Sequence, residues 1–130
     1  MKVLAVITAL SGFLAVALGA FGAHALRSMV APEMLTVWQT AVQYQMFHVL
    51  VLLSIIIAGS RTSNILLCVS GWLFVAGTLL FSGSLYLLVV TGVKALGMIT
   101  PIGGGLFLVG WLVLPFALAK FMTAQKLNGQ

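Results

Sequence analysis

Acidic residues are almost missing from this chain: Glu33 is the single one among 130 residues, against six Lys and Arg. Charged residues of both signs make up 5%, where soluble domains carry roughly 25%. One carboxylate and six cations cannot clothe a water-soluble surface. With 62% hydrophobic residues and a mean hydropathy of +1.25, the composition indicates an integral membrane protein of one domain, residues 1–130. There is one cysteine, Cys68, which excludes an internal disulfide. Three prolines in all leave the apolar runs long. The net charge of +5 does not point to nucleic acid, because Lys2, Arg27, Arg61, Lys94, Lys120 and Lys126 stand singly, with no basic patch or binding motif among them. Cations so spaced suit the setting of membrane orientation.

What is present is a succession of apolar segments. Val3 to Ala23 is unbroken and long enough to cross about 30 Å of hydrocarbon. It imitates a secretory signal, with Ala23-His24-Ala25 as an A-x-A site. Ser11, Ala15, Gly19 and Ala23 fall four apart, however, a small-residue stripe of the kind that packs retained helices in lipid. A polar connection follows. Ala31-Pro32-Glu33 then reads as a helix start, with Pro at the first helical position and an acid where the helix dipole favours it. That helix is expected to continue unbroken into the second span, residues 40–58, with Trp38 as an interfacial anchor. Gly59 to Asn64 reads as a tight polar turn, residues 65–90 as the third span, and Thr91 to Lys94 as a second turn. The fourth span, residues 99–119, begins with Thr100 as N-cap and Pro101 just inside, and carries Pro115 near its end. The tail after Lys120 is short, polar and expected to be mobile.

The expected fold is therefore an all-α membrane protein, a four-helix transmembrane bundle with both termini on one face. Lys2, Arg61, Lys120 and Lys126 fall on the terminal face; Arg27 and Lys94 fall on the other. The excess of cations puts both termini on the cytoplasmic side. Ser11-Gly-Phe-Leu-Ala-Val-Ala17 also reads like Ser70-Gly-Trp-Leu-Phe-Val-Ala76, a hint that the two hairpins are parallel repeats.

In this topology one flank of the bilayer collects the polar side chains: His24, Gln39, Gln43, Tyr44, Gln45, His48, Ser82, Ser84, Tyr86 and Thr100. His48 lies about 12 Å deeper than Thr40 at 1.5 Å per residue, near mid-bilayer. A charge at that depth costs at least a few kcal/mol, so His48 is expected to be neutral and to face protein. At 100° per residue, Ala41, Tyr44, Gln45 and His48 share one broad side of the second span, and Gln39, Gln43, Met46 and Leu50 the other. Neighbours are therefore expected on both sides. Gly71, Val75, Thr78, Ser82 and Tyr86 form a matching stripe on the third span, and Gly103 and Gly110 allow close approach on the fourth.

Several chemistries fit poorly. A haem wants two His at one depth, and His24 at the rim does not match His48. His24, Glu33 and His48 make an incomplete metal set at unequal depths, so neither metal nor cofactor is expected. Ser82 or Ser84 beside His48 could suggest a hydrolase, but nothing marks an oxyanion hole. Cys68 belongs to the opposite flank.

Gly19-Ala-Phe-Gly-Ala-His24, Gln39-Thr-Ala-Val-Gln-Tyr-Gln-Met-Phe-His48, Phe81-Ser-Gly-Ser-Leu-Tyr86 and Ile99-Thr-Pro-Ile-Gly-Gly104 together resemble the YgdD-like small membrane proteins of bacteria, to which the eukaryotic transmembrane protein 256 is similar. The resemblance spans nearly the whole chain and implies a four-helix protein of the bacterial inner membrane; it supplies no reaction. Two functional readings follow from the polar flank. One is a non-enzymatic accessory or assembly module that docks another membrane protein or a second copy of itself. The other is a small transporter or lipophile-binding protein using a pocket floored by His48. Beside both stands plain helix-to-helix hydrogen bonding.

Overall fold

The computed structural model describes residues 1–61 and 64–128, with side chains as far as residue 123. Thr62 and Ser63 of the expected polar turn lie outside the described residues. Four α-helices follow in order: α1 Lys2–His24, α2 Pro32–Arg61, α3 Ile65–Thr91 and α4 Thr100–Asn128. No strand occurs among the described residues. All four helices are long and apolar enough to cross a membrane. At 30 residues, α2 is about 45 Å long, longer than the roughly 30 Å of hydrocarbon it would cross.

Local sequence explains the ends. Pro32 opens α2 and the helix runs unbroken through Arg61, as its start signal predicts. Asn64 caps α3, its side-chain oxygen accepting the Leu66 N–H at 3.0 Å. Gly92 ends α3 in the left-handed region, φ 71°, with its N–H donated to the Leu88 carbonyl at 2.8 Å, a conformation glycine adopts without a Cβ penalty. A 3₁₀ turn, Lys94–Met98, leads into α4. Two expectations change here. Thr100 is the first residue of α4 rather than its N-cap, and its hydroxyl is committed to a neighbouring helix. The tail after Lys120 is not a separate segment: α4 continues to Asn128.

The helices pack antiparallel, which sets both chain ends on one side of the bundle. The surface is apolar and much of the interior is small or polar. Phe13, Leu79, Leu112 and Phe116 are exposed, while Thr8, Gln45, Ser70 and Ser82 are buried beside Phe74, Leu52, Ile55 and Leu67. That distribution inverts a water-soluble protein and suits a lipid exterior. The α3–α4 crossing is close at Gly103, where a Cβ would run into the Phe81 nitrogen and stand 2.8 Å from its Cα. Only glycine permits backbones that near. Lower down, Ser70 donates to the Gly110 carbonyl at 3.1 Å and the Asn64 amide to the Ala117 carbonyl at 2.8 Å. The serines of the two similar segments thus behave alike in one respect. Ser11 bonds to α2 and Ser70 to α4, each to the second helix of its own hairpin.

The small-residue stripe of α1 is rotated from expectation. Ala15 is fully buried and Gly19 abuts Val42, but Ala23 is exposed. Gly22 takes its place, because a Cβ there would meet the Trp38 ring at 2.6 Å. Trp38 is consequently not an interfacial anchor. It is 3% exposed, and its indole N–H donates to the Leu18 carbonyl at 2.9 Å. The notch at Gly22 draws the ring inward, where that carbonyl satisfies its polar edge.

Candidate functional site

The polar residues of α2 divide according to which neighbour they meet. Toward α1 and α3, Gln45 is 5% exposed. Its amide donates to the Ser11 carbonyl at 2.9 Å and to the Ser11 hydroxyl at 3.3 Å, and its oxygen accepts the Tyr86 hydroxyl at 2.8 Å. One side chain therefore ties three helices. Trp38 stacks edge-on against Tyr86, ring centroids 4.7 Å apart, and steadies the same junction. Ser82 donates to the Ala41 carbonyl at 2.8 Å, and Thr78 to the carbonyl of Phe74 at 2.9 Å. Above this layer, between α1 and α3, lies a groove of about 330 Å³ with walls such as Leu10, Leu14 and Leu79. Gln45, Thr78, Ser82 and Tyr86 at its floor are all hydrogen-bonded.

Toward α4 the situation differs. His48 is 5% exposed and near the middle of α2. Its ring lies parallel to Phe107, 3.6 Å between centroids and 2° between planes. Phe74 stands 5.4 Å and Trp111 6.4 Å away. Tyr44, one turn earlier, stacks on Phe81 at 4.3 Å. His48 Nδ1 is 2.7 Å from the Tyr44 carbonyl. A carbonyl only accepts, so Nδ1 must carry the hydrogen. Nε2 is buried and has no hydrogen-bond partner. A buried polar atom left so typically costs about 1–3 kcal/mol. Beside the ring, a groove of about 440 Å³ opens between α2 and α4, with Gln43, Tyr44, Phe47 and Trp111 around it. Gln43, Phe47, Tyr44 and Trp111 are all exposed at its rim.

The ten polar residues thus fall into several places. Gln45, Ser82 and Tyr86 meet on the α1–α3 side, with Ser11 as an unforeseen partner. Tyr44 stacks on Phe81 of α3, and His48 turns to Phe107 of α4. Ser84 donates to the Phe81 carbonyl at 3.0 Å, and its oxygen, 2.8 Å from the Thr100 hydroxyl, accepts from it; this pair joins the last turns of α3 to the start of α4. His24, Gln39 and Gln43 are exposed. The far side of α2, expected to meet another helix, is therefore partly open surface. Neither Ser82 nor Ser84 is bonded to His48. Among the described residues no group of three or more His, Cys, Asp or Glu forms a metal-binding cluster. The aromatic wall of Phe107 and Trp111 was not anticipated. Its one sequence signal is the four-residue spacing of these rings on α4, which in a greasy helix looks like any packing face.

Comparison with known proteins places the chain. The family model described as "Protein of unknown function (DUF423)" matches residues 18–104. A UPF0382 membrane protein of Staphylococcus aureus (strain bovine RF122 / ET3-1) is 48% identical over 122 residues, 93% of this chain and 98% of that protein. The UPF0382 membrane protein YwdK of Bacillus subtilis (strain 168) is 44% identical over 123 residues, 94% of this chain and 100% of that one. No solved structure matches. Most of the chain is covered, including all four quoted motifs in full, and the relatives are named as membrane proteins: the chain belongs to the DUF423 family of small integral membrane proteins.

Proposed function

We propose that this protein is a non-catalytic, lipophile-binding protein of the bacterial inner membrane, with both termini in the cytoplasm and its site in the α2–α4 groove. One observation carries the reading: the groove of about 440 Å³ is lined by His48, whose Nε2 is the single buried side-chain polar atom without a hydrogen-bond partner among the described residues. Its size falls within the range of small-molecule sites, and its build, aromatic walls with few polar groups, is theirs too. The α1–α3 groove is a weaker candidate because its polar floor is already paired internally. A non-catalytic role is supported by Ser82 and Ser84, which direct their hydroxyls to helix carbonyls rather than to His48. The cation excess on the terminal face supports the orientation.

Photolabelling in lipid nanodiscs with a diazirine-bearing long-chain lipophile tests this. Labelling is expected to concentrate on the peptides holding Gln43–Val51 and Trp111 and to be competed by unlabelled lipophile. Even labelling of every lipid-facing helix, without competition, would show that the groove is ordinary bilayer surface.

The accessory-module reading keeps one observation in its favour. Gln39 and Gln43 lie one turn apart on an exposed strip of α2, and amides facing lipid are better satisfied by another helix. Site-specific crosslinking from position 39 to a second membrane protein would favour it.

A further inference from the structure

The ligand's chemistry can be read from the His48 ring, provided the groove reading above holds. We infer that the α2–α4 groove prefers uncharged lipophiles that carry a hydroxyl, and that His48 Nε2 accepts the hydrogen bond. With Nδ1 donating to the Tyr44 carbonyl at 2.7 Å, the neutral ring presents a lone pair at Nε2. The rings packed around it, Phe107, Phe74 and Trp111, leave that lone pair unanswered. The missing group is therefore a donor. It is not an anion, because a carboxylate or phosphate oxygen would set acceptor against acceptor. It is not a cation either: the chain's one acid, Glu33, lies fifteen positions earlier on α2, about 22 Å along the helix, and offers no counter-charge. A neutral O–H on an apolar body fits both the polarity and the walls.

Access has a structural basis. Nε2 is covered, so a wall residue must move aside. Trp111 is 48% exposed at the groove. Four residues on stands Pro115, which has no N–H to give to the Trp111 carbonyl. The Trp111 carbonyl thus lacks the helical donor that any other residue at position 115 would supply.

The test uses the full chain in nanodiscs, ¹⁵N-labelled at histidine, with the exposed His24 changed (His24→Asn) so that His48 gives the only imidazole signals. The probes are 1-dodecanol and dodecyl methyl ether, which share the dodecyl chain and the oxygen but differ in that a methyl group, itself more apolar, replaces the hydroxyl hydrogen. Dodecanol is expected to shift the Nε2 resonance upfield and saturably, with the ether leaving it in place. Dodecanol should also bind about tenfold more tightly than the ether, the worth of one hydrogen bond, and His48→Phe should abolish the difference. A proton found on Nε2 with Nδ1 bare, or equal affinity for the two probes, overturns the inference while leaving the groove as a site. Failure of both probes to saturate overturns the site as well. The resonance measurement needs no change at position 48, so it decides the matter even if His48→Phe does not fold.

Discussion

The two sides of α2 use similar residues to opposite ends. On one side Gln45 is buried and bonded to Ser11 and Tyr86. On the other His48 is buried to the same degree, 5% exposed in each case, yet one of its nitrogens has no partner. In lipid there is no water to rescue an unpaired group. A paired polar residue is therefore structural adhesive, and an unpaired one is a standing demand for something else. Burial alone does not distinguish them; the pairing does.

This contrast can be broken or sharpened by substitution. The largest effect is expected where both sides share their frame. Gly103→Val would drive a side chain into the Phe81 backbone, and overpacking of this kind costs 1–3 kcal/mol or more; folded protein recovered after mild heating and size-exclusion chromatography should fall sharply. Gln45→Leu comes next. It removes the bonds to Ser11 and leaves the hydroxyl of half-buried Tyr86 without its acceptor, a loss of about 1–3 kcal/mol, read as a lower midpoint of thermal unfolding in detergent. Trp38→Phe, which keeps an aromatic ring but orphans the Leu18 carbonyl from its indole donor, should cost about 0.6–2 kcal/mol by the same assay. His48→Phe should cost least, with stability within about 1 kcal/mol of the parent or above it, because it keeps a flat ring against Phe107 while deleting the unpaired atom. A midpoint that falls as far for His48→Phe as for Gln45→Leu would remove the distinction between the two sides. A double-mutant cycle refines it: Gln45 and Tyr86 should couple, whereas Gln45 and His48, with no shared partner, should be closer to additive.

Much of the fold was legible in the residues because hydropathy and helix punctuation are local. Four apolar runs, Pro32 and Glu33 at one start, and Gly92 after Thr91 follow from the chain read residue by residue. The site was less so. Tyr44, Gln45 and His48 lie within one arc of a helical wheel, and no wheel says that neighbours will split that arc, Gln45 to Ser11 and Tyr86, Tyr44 to Phe81 and His48 to Phe107. Five of the hydrogen bonds that join helices end on backbone carbonyls, those of Ser11, Leu18, Ala41, Gly110 and Ala117. Every residue has a carbonyl, so no residue type announces such an acceptor. Trp38 misled for a related reason: an indole near a helix start suits the membrane interface in general, and the notch at Gly22 that draws it inward belongs to another helix.

Taken alone, then, the sequence determined that this chain crosses a membrane four times and about where each crossing begins, since transfer of apolar residues into hydrocarbon sums over composition and needs no knowledge of neighbours. Tertiary structure alone decided which of those side chains are satisfied. A hydrogen bond requires two groups within about 3 Å, and only the packing of α1, α3 and α4 around α2 brings partners to Gln45 and withholds one from His48.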